Sequence, residues 1–329
     1  MDKTKKILVT GGAGMIGSNL VKRLVSIGLD VSVIDNLWRG KREHLLNENG
    51  NYVIDMASKF YEVDLSLDEK LDHIIAEVDY VYHLADVVAG VDYVFNNQGS
   101  VFRQNLLINS NLIAAVRRNP VKGFVYVGTA CSFPASLQSG VDARPLKEED
   151  QYPAYPESSY GWSKLMGEYE AFLMEQETGI PVSVLTLHNV YGTPCDFGIE
   201  KSQVIPSLVR KAIAYPVSDF VVWGSGEQGR AFVHVDDIVD ALILAIEKGL
   251  GKGLIQIGPD FCTPIREIAE MINMICGKKM NIVYDTTKPE GDRGRCADYS
   301  KAKEVLGWVP KVDLKKGLTD LYRWIEDRS

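Results

Sequence analysis

One run near the N-terminus constrains the chain more than any other. Residues 5–10, KKILVT, are a short apolar stretch with β-branched members. GGAGMIG follows at 11–17, then SNLVKRLVSIG at 18–28 with apolar residues at helical spacing, then VSVID at 31–35. That order is strand, glycine loop, helix, strand within about thirty residues, the size of one βαβ unit. Gly11, Gly14 and Gly17 let the backbone turn tightly and approach a pyrophosphate, while the following helix turns its free N–H groups and dipole towards the anion. Met15 and Ile16 lie inside the same loop. Asp35 closes the second strand, where a carboxylate accepts from ribose hydroxyls and repels a 2′-phosphate; Asn36 follows it. The pattern predicts a dinucleotide site and favours NAD over NADP, with Arg39 and Arg42 nearby as the opposing feature.

The alternation continues. Strands are expected at 59–65, 80–85, 123–129 and 182–188, with helical patterns between them, among them LDEKLDHIIAEV at 67–78. Strands alternating with helices predict an α/β fold, a Rossmann-type doubly wound parallel sheet. Asp64 and Leu65 follow the third strand on the adenine side, and Leu84 and Ala85 follow the fourth beside the pyrophosphate. After about residue 190 the alternation gives way to Gly- and Pro-rich loops, read as a smaller C-terminal α/β substrate lobe. Residues 232–249 look like a strand and helix returning to the large domain. The expected division is 1–182 plus about 219–249 for the cofactor domain, and about 183–218 plus 250–329 for the lobe.

Composition excludes other classes. The 329 residues carry a net charge of −8, which argues against a nucleic-acid partner. No run of about 18 apolar residues predicts a membrane span, and the N-terminal lysines lead directly into a strand rather than a signal sequence. Five scattered cysteines without a C-x-x-C pair predict a reducing, cytoplasmic setting and no metal site.

SSYGWSK at 158–164 places Tyr160 and Lys164 four apart, on one helix face. Alone, the pair reads equally as surface decoration. With GGAGMIG, Asp35, VDL (63–65), HLAD (83–86), GTACSFP (128–134), HNVYG (188–192), VIPSLVRKA (204–212), VVWGSGEQGRAFVHVDD (221–237) and LGW (306–308) in the same order, the chain resembles the extended short-chain dehydrogenase/reductase family in its nucleotide-sugar branch. Within that branch it looks most like GDP-mannose 3,5-epimerases and GDP-fucose synthases.

The resemblance implies NAD as cofactor and a nucleotide-diphosphate sugar, a GDP-hexose foremost, as substrate. It implies an epimerase working through a transient 4-keto sugar, with Tyr160 as base, Lys164 tuning it and Thr129 bonding the reacting oxygen. A free phenol ionises near pH 10, so the ammonium is expected to lower that value. Ala130 and Cys131 stand where 4,6-dehydratases carry Asp-Glu, which argues against dehydration. Cys131 matches the position of a 3,5-epimerase proton carrier; its other reading is a small apolar filler. The partner acid of those enzymes falls on Gln203, which cannot shuttle a proton; Lys201 is the nearest substitute, or a solvated loop lysine. Gly90, Asn189, Gln228, Arg230 and Arg293 resemble substrate contacts, with Lys211 and Arg295 as further candidates. His83 is read as a buried strand-end histidine, and Trp223 and Trp308 as core.

A C4-epimerase is the alternative, for which Gln203 is no handicap; a 4-keto-sugar reductase comes third. A non-enzymatic NAD-sensing regulator is disfavoured by the Tyr160–Lys164 couple. The family resemblance further implies a homodimer through the segments 98–118 and 157–178.

Overall fold

A computed structural model describes residues 4–67, 71–288 and 291–329. Residues 68–70, within the helix expected over 67–78, lie outside the described residues, and Leu71–Ile75 is helical. Seven parallel strands form the main sheet: β1 (Lys6–Thr10), β2 (Asp30–Ile34), β3 (Phe60–Tyr61), β4 (Tyr80–His83), β5 (Gly123–Thr129), β6 (Val182–Leu187) and β7 (Gly253–Ile257). Their order is β7-β6-β5-β4-β1-β2-β3. The order reverses between β1 and β4, which opens a crevice at their C-terminal ends.

The strands are buried on both faces and so read as continuous apolar runs. On one face, α1 (Met15–Ser26) lays Leu20, Val21 and Leu24 against the sheet. On the other, α2 (Gln98–Arg118) and α3 (Ser159–Thr178) contribute Ile108, Leu112, Ala171 and Met174. Leu112 is fully buried, and cutting it to Ala would cost about 2–5 kcal/mol. The sequence marks both ends of α3: the Ser158 hydroxyl accepts from the Gly161 N–H at 3.2 Å, and Gly179 closes the helix at φ 75°.

The lobe has its own core, where α4 (Val204–Ala214), α6 (Ile265–Cys276) and α7 (Leu314–Glu326) bury Leu208, Ile268 and Leu321. Between them in sequence, α5 (Val235–Leu244) returns to α1, as expected.

The division between the parts falls elsewhere than the sequence suggests. Both β6 and β7 complete the main sheet, although the sequence places residues 183–187 and 253–257 in the lobe. Conversely, Phe220–Trp223 pairs with Ile282–Asp285 and packs in the lobe core. The strand β7 begins at Gly253, just after Gly251, so its start resembles a loop until the unfilled edge of β6 is known. Among the described residues, no helix is long and apolar enough to cross a membrane.

Candidate active site

A cleft of about 810 Å³ runs along the C-terminal ends of the strands and continues between the sheet and the lobe. At its first end lie Gly11, Gly14, Met15, Ile16 and Gly17, then Asp35, Asn36, Asp64 and Leu65, and beneath them Leu84 and Ala85. Gly11 has φ 69°, and a Cβ there would sit 2.9 Å from the Ala85 nitrogen; a Cβ on Gly17 would collide with the Gly11 carbonyl. Glycine is required at both. The α1 N-terminus has no side-chain cap and no acidic residue in its first turn, so its N–H groups face the cleft ready for an anion.

Asp35 is buried, and its two oxygens accept from the Ala13 N–H at 2.9 Å and the Leu37 N–H at 2.8 Å. Burial raises its pKa, against the lowering effect of those two bonds. Asp64 accepts from the Ser66 N–H and hydroxyl at 2.9 and 2.7 Å; these bonds hold its carboxyl below its usual range despite burial. Arg42 is engaged with Glu62 at 2.6 Å, and Arg39 donates to the Val88 carbonyl at 3.0 Å. The glycine cradle, the uncapped helix and Asp35 fit NAD, and neither arginine stands free for a 2′-phosphate.

Midway along the cleft lie Thr129, Ala130, Cys131 and Tyr160. Lys164 sits behind them, 2% exposed, with its ammonium 4.6 Å from the Tyr126 ring centroid. Thr129 accepts from the Cys131 N–H at 3.3 Å. Between tyrosine and lysine stands a third group. Asp86 Oδ2 accepts from the Tyr160 hydroxyl at 3.1 Å and lies 3.4 Å from Lys164 Nζ. Burial first, and then the Asp86 carboxylate, push the Tyr160 phenol well above its ordinary pKa. The lowering expected from Lys164 is therefore not met: Asp86 already compensates the ammonium and accepts from the phenol. His83 is neutral, pushed down to about 3 chiefly by burial, and bonded to the Thr10 hydroxyl and Asn109. It is the structural residue expected, though side chains satisfy it.

The far end is lined by buried cations. Arg295 NH1 donates to Cys131 Sγ at 3.2 Å and to Asp292 Oδ2 at 2.7 Å. Burial works against its charge, but Cys131 and Asp292 outweigh it and raise the pKa. Arg230 is lowered to about 10, by burial and then by Arg295. Gln228 is buried, and among the described residues its Oε1 has no partner, nor has Arg295 Nε. Glu157 lines the same space, its pKa raised to about 7 by burial and by Asp292.

The model of the NAD-dependent epimerase/dehydratase family matches residues 7–258. The chain belongs to that family. This epimerase/dehydratase family member is 32% identical to a GDP-mannose 3,5-epimerase of Arabidopsis thaliana, across 98% of its own length and 82% of the relative's. Among solved structures it is similar to a UDP-glucose 4-epimerase with UDP-glucose from Thermotoga maritima, at 31% identity and TM-score 0.86, covering 98% and 99% of the two chains. A UDP-glucose 4-epimerase of Thermus thermophilus in complex with NAD gives 26% identity and TM-score 0.82, covering 97% and 99%. The chain is thus an NAD-dependent enzyme of nucleotide-sugar chemistry.

Other residues singled out in this family member fall in two groups. Gly90, Asn189, Gln203, Lys211, Gln228 and Arg230 line the cleft; Gln203 stands at the N-terminal boundary of α4 without a side-chain capping bond, and Lys211 donates to the Val221 carbonyl at 2.7 Å. Lys201 and Arg293 are not among its lining residues. The Lys201 ammonium lies over Trp38, 4.2 Å from the ring centroid, and donates to the Trp38 carbonyl. Arg295 is buried in the short strand Gly294–Arg295, whereas Arg293, just before that strand, is exposed. Trp308 is core, but Trp223 is 40% exposed and lines the cleft, contrary to expectation. Its short strand lies at the lobe's rim, where burial stops. Asp86 and Glu157 were missed as site residues. Both sit inside quoted motifs, HLAD and the stretch just before SSYGWSK, which could have flagged them.

Proposed function

We propose that this enzyme epimerises a GDP-hexose at C3 and C5 through a transient 4-keto sugar. The observation that carries the reading is the contact between Cys131 Sγ and Arg295 in the same cleft segment as Thr129 and Tyr160. NAD, when bound, takes a hydride from the sugar and later returns it. Tyr160 takes the C4 hydroxyl proton, and Thr129 bonds the reacting oxygen. The resulting ketone acidifies the neighbouring C–H bonds. A thiolate formed at Cys131 has a buried cation 3.2 Å away and can remove such a proton.

Inversion needs a second proton carrier. Gln203 has no titratable proton, and Lys201 is packed on Trp38. We assign that role to Glu157, whose pKa burial and then Asp292 raise to about 7 and which shares the Asp292–Arg295 charge cluster with Cys131. Arg230, Arg295 and Gln228 suit a diphosphate, since planar guanidinium forks bind phosphate oxygens in pairs. Similarity to a GDP-mannose 3,5-epimerase supports guanine as the base. We further propose a homodimer through the outer faces of α2 and α3, which light scattering at micromolar concentration would test; a monomer would sink it.

The deciding experiment is incubation with GDP-mannose, then UDP- and dTDP-hexoses, in D₂O, with the sugar ring read by NMR. Deuterium at C3 or C5 is expected. Inversion at C4 without ring deuterium would establish the second reading, a C4-epimerase, which Gln203 favours.

A further inference from the structure

The Tyr160–Lys164 couple holds a conflict. The phenol resists ionisation, and the cation that would help it ionise is already paired. Asp86 resolves this. A single carboxylate oxygen, Oδ2, is 3.1 Å from the Tyr160 hydroxyl and 3.4 Å from Lys164 Nζ. The Asp86 side chain is only 12% exposed and Lys164 2%, so both charges are withdrawn from water, and the carboxylate reaches the phenol. A carboxylate serving only to neutralise Lys164 needs no contact with the tyrosine.

We propose that Asp86 is a proton relay behind Tyr160. The proposal rests on the assignment of Tyr160 as the group that meets the sugar hydroxyl. As the sugar O–H bond breaks, its proton bonds to Tyr160 Oη, and the original Tyr160 proton passes to Asp86 Oδ2. The electron pair leaves the sugar with the hydride. Tyrosine is neutral before and after, Asp86 ends protonated, and Lys164 keeps its charge throughout. On the return half-reaction Asp86 gives the proton back through the same phenol. No phenolate has to accumulate, so the raised pKa of Tyr160 ceases to be an obstacle.

Other titratable groups face this trio. Cys131 approaches from the turn after β5, Tyr126 from β5, His83 from β4, and Glu168 from α3 itself. Among the described residues, Asp86 alone is hydrogen-bonded to the Tyr160 hydroxyl. Glu168 is occupied by the Gln151 amide at 3.1 Å. Asp86 therefore acts through Tyr160 as a positioning residue and proton store.

The test uses NAD-loaded enzyme carrying Asp86→Asn or Asp86→Glu. Formation of reduced cofactor with GDP-mannose, or with whichever nucleotide-hexose the wild type oxidises, is followed from about pH 6 to about pH 9. Asparagine can still accept from the phenol but cannot take its proton. We expect a flat wild-type profile. Asp86→Asn should be slower by about 100-fold at neutral pH and gain up to about tenfold per pH unit, because the phenol must then ionise by itself. Asp86→Glu should restore most of the rate. An unchanged profile, or a faster Asn variant, would overturn the relay.

A second readout needs no substrate: ultraviolet difference titration of Tyr160, corrected with Tyr160→Phe. Asp86→Asn should ionise the phenol at lower pH, and an unmoved titration would count against the relay. If the wild type oxidises no nucleotide-hexose, the assigned reaction falls and the relay with it, while the titration still reports whether Asp86 governs the phenol.

Discussion

The two ends of the cleft are built from different material. At the cofactor end the backbone supplies the contacts. Gly11 and Gly17 shape the loop, α1 offers its N–H groups, and both Asp35 oxygens are held by main-chain donors. At the substrate end side chains do so, and they are left incomplete. Among the described residues, Arg295 Nε and Gln228 Oε1 are buried without partners; Arg230 has a lowered pKa, and Glu157 a raised one. A buried polar atom without a partner is costly. The cofactor end holds its carboxylate with backbone donors and leaves the first N–H groups of α1 open to an anion. The substrate end is under electrostatic tension that an exchanging ligand, rich in phosphate oxygens, would relieve. The contrast extends beneath the site: both ring nitrogens of His83, under the cofactor end, have partners, whereas His188 Nδ1, under the other, has none among the described residues.

The largest effect expected is at the junction of the two ends. In the proposed reaction, Tyr160→Phe removes the hydroxyl that takes the proton of the sugar's C4 hydroxyl. Turnover should fall by about 10²–10⁴-fold, with NAD content unchanged on purification. Loss of bound NAD in the variant would mean that the two ends are not separable.

Next is Arg295→Met. It leaves the Asp292 carboxylate, 8% exposed, without its 2.7 Å partner. Removing one member of a buried pair costs about 3–5 kcal/mol, read from the urea midpoint. A saturating nucleoside diphosphate should stabilise the wild type, by about 2.7 kcal/mol at 100 times its Kd, and should stabilise the variant far less. Equal stabilisation of both would show that Arg295 does not meet the ligand.

The same contrast explains what the sequence disclosed. The cofactor end was legible almost residue by residue, because a glycine that admits no Cβ and a carboxylate closing a strand are local requirements. Six of the main strands were legible as apolar runs. The seventh, Gly253–Ile257, was not, since its place depends on the free edge of β6 rather than on its own pattern. The substrate end is non-local. Cys131 and Arg295 stand 164 positions apart, and only the folded lobe brings them together. Arg295 is buried where Gly294–Arg295 pairs with Gly229–Arg230, while Arg293 just outside stays exposed, and no periodicity reveals a two-residue strand. HLAD marks Asp86 as a strand-end carboxylate, but its contact with Tyr160, 74 positions away on α3, shows only in the fold.

A smaller effect distinguishes the buried titratable groups behind the cleft. His83 and His188 are both pushed down to about 3, mainly by burial, and Glu168 is raised to about 7 for the same reason. Each histidine's stabilising contribution is full above its unfolded pKa near 6.5 and is lost as pH falls towards about 3, which amounts to about 2 kcal/mol between pH 7 and pH 5. Glu168 has the opposite sign. Its contribution is full below about pH 4.5 and is lost as pH rises through about 7, again about 2 kcal/mol over that interval. The two trends partly cancel. Glu168→Gln should therefore increase the stability gained from pH 5 to pH 7 by about 2 kcal/mol in urea unfolding. An unchanged pH dependence would mean that Glu168 is ionised in the fold.

The smallest effect sharpens the account of the cofactor end. Arg42 pairs with Glu62 at 2.6 Å, but the two side chains are 46% and 53% exposed. An exposed pair contributes about 0–1 kcal/mol, so Arg42→Ala should shift the urea midpoint barely at all and leave NAD affinity within about twofold. The same variant should not alter discrimination against NADP, because that is assigned to the buried Asp35 carboxylate. If NADP binding were to fall in Arg42→Ala, Arg42 would be leaving Glu62 to meet a 2′-phosphate. The cofactor end would then resemble the substrate end, with a side chain held in reserve for its ligand.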